Sequence, residues 1–293
     1  VFKKEYIIQI YKSLREISMN TNDVLDVYEE VKEDLKFITT SSIRTKIILS
    51  LKEGDKSLDE FKILIDSKSS SLSHALKKLE NKDIIFKKGK RYFLSSLGRI
   101  YAVKSENLFK SFSTVKSCEK MWLNHLIDGI PSFLVKKIGC LSNSFIVEST
   151  PTDIIKPQTY YAEILSRSSD IKIVSPIFYY PLFDLYTSGL QNEAEAEIIL
   201  TPLIFDAMIK SIGLEKLEET ISLNNLKFLS IDEDIKIALT VTEKFLNLGL
   251  FLNNCIYDAT MSLVSYDEDA ISWGEELYCY YFKKAKIIHL NDI

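Results

Sequence analysis

Four cations crowd five residues of this chain: Lys87, Lys88, Lys90 and Arg91 surround Gly89 in the run IIFKKGKRYFL at 84–94. Cations on an exposed hairpin can follow a phosphate backbone and release its counterions. Just upstream, SSSLSHALKKLE at 69–80 supplies the hydroxyls of Ser70, Ser71 and Ser73, the imidazole of His74, and Lys77 and Lys78. Such groups donate to phosphates and to base edges. A solvated surface can be built from the same residue types. The elements that carry them must therefore decide the matter.

Residues 41–54 read as a helix, with Ser41 or Ser42 as cap, Ile43, Ile47, Ile48 and Leu51 at helical spacing, and Gly54 as terminator. Ser57 with Glu60 three positions later is a capping box for a second helix over 58–65. A third helix is predicted over 70–81, with Leu72, Ala75, Leu76 and Leu79 on one face. Ser70, Ser73, His74, Lys77 and Lys78 leave its other side, with Ser71 near the N-terminal edge. That division suits a recognition helix, which is core on one side and reads a groove with the other. His74 is either a base reader at its centre or an ordinary exposed residue. The hairpin at 84–94 follows at once, Gly89 supplying the positive φ of a tight turn. Helix, helix, helix and basic hairpin make a winged helix-turn-helix domain over 41–98, with double-stranded DNA as the expected partner. A helix from Ser95 through Tyr101, Val103, Leu108 and Phe112 towards Cys118 opens a linker over 99–140, suited to homodimer pairing or to contact with the second domain. Residues 6–17 and 24–37, within an N-terminal segment 1–40, read as two amphipathic helices that pair subunits or cover the second domain.

The charge distribution supports this division. The net charge of −4 conceals a segment, 41–118, with 17 Lys/Arg against 8 Asp/Glu, followed by 119–293 with 14 against 25. One domain is expected to meet a polyanion and the other not. At 293 residues two domains are expected. Apolar runs such as 245–252 are too short to span a bilayer, and residues 1–6 show no signal-peptide pattern, so a cytoplasmic protein without a membrane partner is expected. Cys118, Cys140, Cys255 and Cys279 form no CxxC pair and read as buried free thiols; neither metal nor cofactor is expected.

The acidic half, 141–293, follows short helices near 119–128 and 132–138. It alternates apolar strands at 144–148, 171–175, 197–201 and 226–231 with intervening helical stretches. The expected architecture is an α/β domain with a mostly parallel sheet, α+β overall once the winged helix is included. Segments 235–243 and 245–252 read as a hairpin at the sheet edge, and 267–286 as a closing helix. Three strands end in Thr150-Pro151, Ser175-Pro176 and Thr201-Pro202, which are N-cap and N1 signals for helices. If these helix starts converge, they form an effector site with Thr150, Ser175, Tyr179, Tyr180 and Thr201. Otherwise they serve the fold alone.

ISWGEELYCYY at 271–281, with LGLFL at 248–252 and Tyr257-Asp258, resembles the middle domain of archaeal Fil-type methanogenesis regulatory proteins. SSSLSHALKKLENKDII at 69–85 is similar to the winged helix that precedes that domain and that bacterial metal-responsive repressors also carry. The resemblance implies a dimeric transcription factor with an effector-sensing or signalling domain; it names no effector. Related winged helices often have Gly where this chain has Asp83, but Asp tolerates the left-handed conformation. The α/β half also has some likeness to phospholipase D-type domains, whose active sites need HxK pairs. His74, His125 and His289 all lack that Lys, and no GxSxG, GxGxxG or P-loop motif occurs. No catalytic residue is assigned, and an enzyme is not expected. A protein-interaction adaptor remains as the other class.

Overall fold

The computed structural model describes residues 21–178, 194–222 and 226–288. The chain divides into two compact units, up to residue 109 and from residue 110 onward. The expected helix at 6–17 lies outside the described residues.

The first unit contains α1 (Thr21–Thr39), α2 (Ser42–Ser50), β1 (Lys56–Ser57), α3 (Leu58–Leu64), α4 (Ser69–Glu80), β2 (Ile85–Lys88) and β3 (Arg91–Leu94). α5 (Ser96–Ser117) starts in it. Ser41 caps α2, its Oγ accepting from Arg44 N at 3.4 Å. The capping box of α3 is closed in both directions: Glu60 N donates to Ser57 Oγ at 3.3 Å, and Ser57 N to Glu60 Oε2 at 2.7 Å. Leu72, Ala75, Leu76 and Leu79 of α4 are buried with Ile47, Ile48, Phe61, Ile84 and Leu94 in one core. β1, β3 and β2 form a three-stranded antiparallel sheet in that order.

The turn between α4 and the hairpin is tightly specified. Asp83 takes φ 54° and Gly89, at the hairpin tip, φ 62°. Ser95 donates through Oγ to Asp83 O at 2.6 Å and accepts from Gly98 N at 2.9 Å. A Cβ on Gly98 would lie 2.0 Å from the carbonyl oxygen of Ile84, so α5 can meet the base of the hairpin only through a glycine.

The second unit contains α6 (Glu119–Asn124), β4 (His125–Leu126), α7 (Ser132–Val135), β5 (Phe145–Glu148), α8 (Lys156–Leu165), β6 (Asp170–Val174) and β7 (Glu195–Leu200). There follow α9 (Pro202–Ile212), α10 (Leu214–Ser222), β8 (Leu226–Ser230), β9 (Ile237–Thr242), β10 (Leu246–Leu252), β11 (Met261–Ser265), α11 (Glu268–Phe282) and β12 (Lys286–Ile287). The sheet runs β12-β8-β7-β6-β9-β10-β11-β5, with β4 also on β10. The fold class is as expected, but the sheet is mixed rather than mostly parallel. Among the described strands only β6–β7 and β7–β8 pair in parallel. The segments expected as an edge hairpin, β9 and β10, lie in the middle of the sheet.

Alternation along the strands splits the core in two. Ile237, Leu239, Val241, Leu246, Leu248 and Leu250 face the side covered by Trp273, Leu277 and Tyr281 of α11. Ile171, Ile173, Ala196, Ile198 and Phe228 face the side covered by Tyr161 and Ile164 of α8, Phe205 of α9 and Leu217 of α10. Trp273 Nε1 donates to Leu134 O at 3.0 Å and Tyr281 OH to Gly129 O at 2.7 Å. The tryptophan-tyrosine run of α11 is thus a packing element whose polar tips are satisfied.

One buried polar pair holds β4 in place. His125 Nδ1 lies 2.8 Å from Met121 O and Nε2 lies 2.9 Å from Asp258 Oδ2, while Asp258 Oδ1 accepts from Thr260 N and Oγ1 at 2.8 and 2.6 Å. Burial opposes ionisation of Asp258, but the bonds from Thr260 and His125 outweigh it and hold the carboxyl below its usual range.

Two outcomes are expected. Gly98→Ala should destabilise the first unit by about 1–3 kcal/mol or more, because the clash is with backbone; an unchanged denaturation midpoint would contradict the close approach. Because the carboxyl of Asp258 is depressed in the folded state, its stabilisation is present above the ordinary carboxylate range. It is lost as pH falls through the folded value. Asp258→Asn should therefore cost about 1–3 kcal/mol at neutral pH. Wild type and variant should converge in acid, and parallel stability curves would rule this linkage out.

Candidate nucleic-acid interface

α4 presents the residues that its sequence pattern assigned to the outside. Ser70, Ser71, Ser73, His74, Lys77 and Lys78 are all exposed, while its apolar stripe is fully covered. The helix begins at Ser69 with Lys68 as its N-cap residue, so its first turn carries three consecutive serines. The unbonded N–H groups of such a turn favour an anion.

The hairpin places its cations on β2, on β3 and at the tip. Lys87, Lys88, Lys90 and Arg91 are exposed. The residues pair Lys88 with Arg91 and Lys87 with Tyr92 across the two strands, and Lys87 Nζ lies 5.2 Å from the centre of the Tyr92 ring. Phe86 stacks on Phe93 at 5.3 Å, which stiffens the hairpin. Among the described residues, Lys77, Lys78, Lys87, Lys88 and Lys90 enter no ion pair.

Arg91 differs from the other three cations. Its guanidinium pairs with the carboxylate of Asp55, donates to Asp55 O at 2.7 Å, and lies 3.1 Å from Glu60 Oε2. Hydrogen bonds from the Ser57 backbone and hydroxyl, and then from Arg91, bring the Glu60 carboxyl down to about 2. Glu60 therefore closes the α3 capping box and ties β3 to it at once. Expected at the tip as a phosphate ligand, Arg91 is instead engaged with two acids of its own unit. Sequence spacing hides this, because Asp55 and Arg91 meet only through the β1–β3 pairing.

The expected effector edge is not assembled as predicted. Thr150-Pro151 opens a turn, with Asp153 N donating to Thr150 Oγ1 at 3.1 Å, and the next helix starts at Lys156. β5, which precedes it, is separated from β6 by β9, β10 and β11. Only Thr201-Pro202 behaves as read: Thr201 caps α9, accepting from Ile204 N at 3.4 Å. Ser175 turns back on Ile177, donating to its carbonyl at 2.6 Å. Tyr179 and Tyr180 lie outside the described residues.

Of these residues Ser175 alone, among the described ones, lines a cavity of about 430 Å³ between α8 and the sheet. Its other walls include Gln158, Tyr161, Thr240, Asn247 and Ser262, none singled out by sequence. A signal existed for two of them: Thr240 and Asn247 are polar residues on strands whose opposite face is continuous Leu, Ile and Val. The four cysteines form no disulfide among the described residues, and they are not uniformly buried. Cys118 is buried and Cys140 half-buried, whereas Cys255 and Cys279 are exposed.

Comparison with known proteins adds the lineage. Residues 32–113 match the N-terminal domain of methanogenesis regulatory protein FilR1, and residues 154–284 match its middle domain. The chain is 25% identical over 272 residues to FilR1 of Methanothrix harundinacea (strain 6Ac). That alignment covers 92% of this chain and 61% of the relative, so the chain spans about three fifths of the relative's length. Among solved structures it is similar to the archaeal chromatin protein TrmBL2, at 15% identity, covering 89% of this chain and 98% of that one, TM-score 0.41. It is also similar to Nuc of Salmonella typhimurium, a phospholipase D family member, at 5% identity over 50% and 99% of the two chains, TM-score 0.40. With both FilR1 domains matched in order, the chain belongs to the FilR1 family of methanogenesis regulatory proteins.

Proposed function

We propose that this chain is a DNA-binding transcriptional regulator of the cell interior, whose winged helix binds operator DNA and whose α/β unit answers to an effector. One observation carries the reading. The exposed serine-histidine-lysine face of α4 and the ion-pair-free lysines of the β2–β3 hairpin belong to one small unit. Such an arrangement lets a helix enter the major groove while a wing follows the backbone. The FilR1 relative, named as a regulatory protein, supports it.

In this reading the residues divide their work. Ser70, Ser71 and Ser73 hold phosphate near the first turn of α4, and His74, Lys77 and Lys78 reach into the groove. Lys87, Lys88 and Lys90 lie along the backbone. Arg91 is a positioning residue, keeping β3 against α3 so that the lysines are presented together.

The regulator also pairs with a second copy. α5 leaves Leu97, Ile100, Leu108, Phe112 and Val115 exposed along one side of the helix. An apolar stripe at this spacing suits helix-to-helix packing, and a symmetric dimer matches a two-fold operator.

Replacing Lys87, Lys88 and Lys90 together by Ala should weaken binding to every duplex tested. It should also flatten the slope of log affinity against log salt by about 0.9 for each phosphate that the lysines no longer neutralise. Unchanged binding in a fluorescence titration would sink the wing assignment, and absence of duplex binding by the wild type would favour a protein-docking role. His74→Ala with Lys77→Ala should shift the selected sequence rather than the general affinity. Ile100→Asp with Leu108→Asp should give a folded monomer by light scattering; a dimer that persists would place pairing elsewhere.

A further inference from the structure

The cavity of the second unit has a chemical character of its own. It is bounded by the start of α8, the carboxyl end of β6 and the faces of β9, β10 and β11. Its volume of about 430 Å³ falls in the range that takes a small organic ligand. None of its sixteen described lining residues is charged. A carboxylate, phosphate or ammonium placed there would lose its water and gain no counter-charge from the described residues.

The polar atoms on the walls say more. Gln158 Nε2 donates to Ala259 O, which fixes the amide and leaves Gln158 Oε1 buried without a partner among the described residues. Asn247 Oδ1, on the strand position directly opposite Thr240, is also buried without a partner among the described residues. Tyr161 OH and Thr240 Oγ1 are 2.8 Å apart beside it. Burial pushes the Tyr257 phenol up, so that this group too stays neutral. Orphaned carbonyl oxygens in a native interior call for a donor, because leaving them unmet costs stability. Around them Ile155, Ile177, Phe178 and Met261 provide an apolar lining.

We infer that this cavity binds an uncharged organic molecule with an apolar body and two N–H or O–H donors, which meet Gln158 Oε1 and Asn247 Oδ1. Helix starts such as those of the Ser/Thr-Pro repeats favour an anion, whereas this cavity suits a neutral molecule. The role of this molecule as the effector rests on the regulator reading above, whereas its binding does not.

The test uses the full chain and three probes that share one body: benzamide, with two N–H donors and no charge; methyl benzoate, with no donor; and benzoate, an anion. Saturation-transfer NMR should show benzamide binding about tenfold or more tightly than either of the others, the scale of one buried hydrogen bond. Gln158→Leu and Asn247→Leu, checked for folding by circular dichroism, should each remove that preference. Benzoate binding as well as benzamide, no benzamide binding at millimolar concentration, or a preference intact in both variants would overturn the inference. Where a variant fails to fold, the wild-type series decides. Duplex affinity measured on the same samples separates the two readings. Benzamide binding without duplex binding fails the regulator and spares the cavity; the converse fails the cavity alone.

Discussion

A sheet that carries apolar side chains on both faces has to be covered twice, and the second unit is organised by that requirement. β9 turns Ile237, Leu239 and Val241 to one side, and β10 turns Leu246, Leu248 and Leu250 the same way. α11 answers them with Trp273, Leu277 and Tyr281, and admits Gly274 where a Cβ would lie 2.6 Å from Leu246 Cδ1. On the opposite side β6, β7 and β8 bring Ile173, Ile198 and Phe228, which α8, α9 and α10 cover. The other face of this parallel part carries Lys172, Glu197 and Lys227 in one row across β6, β7 and β8, with Lys227 exposed. In the antiparallel part, β9, β10 and β11 turn Thr240, Asn247 and Ser262 to the side that α8 covers. The cavity sits where the second cover does not press against apolar side chains.

The same logic at smaller scale shapes the winged helix. α4 has one apolar stripe to bury, so its other face is free for polar groups, and the three-stranded sheet closes the core from below. Each end of the element is then fixed by a backbone device: the α3 capping box on one side, and Asp83, Ser95 and Gly98 on the other. Arg91 links the first of these to the hairpin. Charges that carry structure and charges that remain for a partner are therefore separated within a few residues of one strand.

Local signals explain which parts could be read from sequence. The capping box at Ser57 and Glu60, the stripe of α4 and the Gly89 turn depend on neighbours within four residues, and they stand as read, with α4 shifted by one residue. What needed strand order did not survive. LNLGLFL in β10 alternates like a half-exposed edge strand, yet it lies inside the sheet, with Asn247 and Gly249 facing α8-side groups rather than water. Thr150-Pro151 carries a helix-start signal, but β5 joins the far edge by pairing with β11, and the chain turns before α8. β11 itself, only five residues long, has no counterpart among the expected strands. The Arg91 clamp and the orphaned amides share this origin, since each depends on partners at least 31 residues away or on a cover that no local pattern records.

These two kinds of site imply different physics for one regulator. The proposed DNA face would work through charge at the surface, where each interaction is screened by salt and affinity follows ionic conditions. The described walls of the cavity carry no charge, so a proposed occupant would act on them through packing and hydrogen bonds against β9, β10 and α8. An occupant that binds two arrangements of these elements equally changes nothing; one that prefers one of them tenfold shifts the balance by about 1.4 kcal/mol. Satisfying two buried oxygens is an effect of that size. Salt would therefore tune how tightly the winged helix holds DNA without altering how the α/β unit recognises its ligand, and the two responses would be separable in one titration.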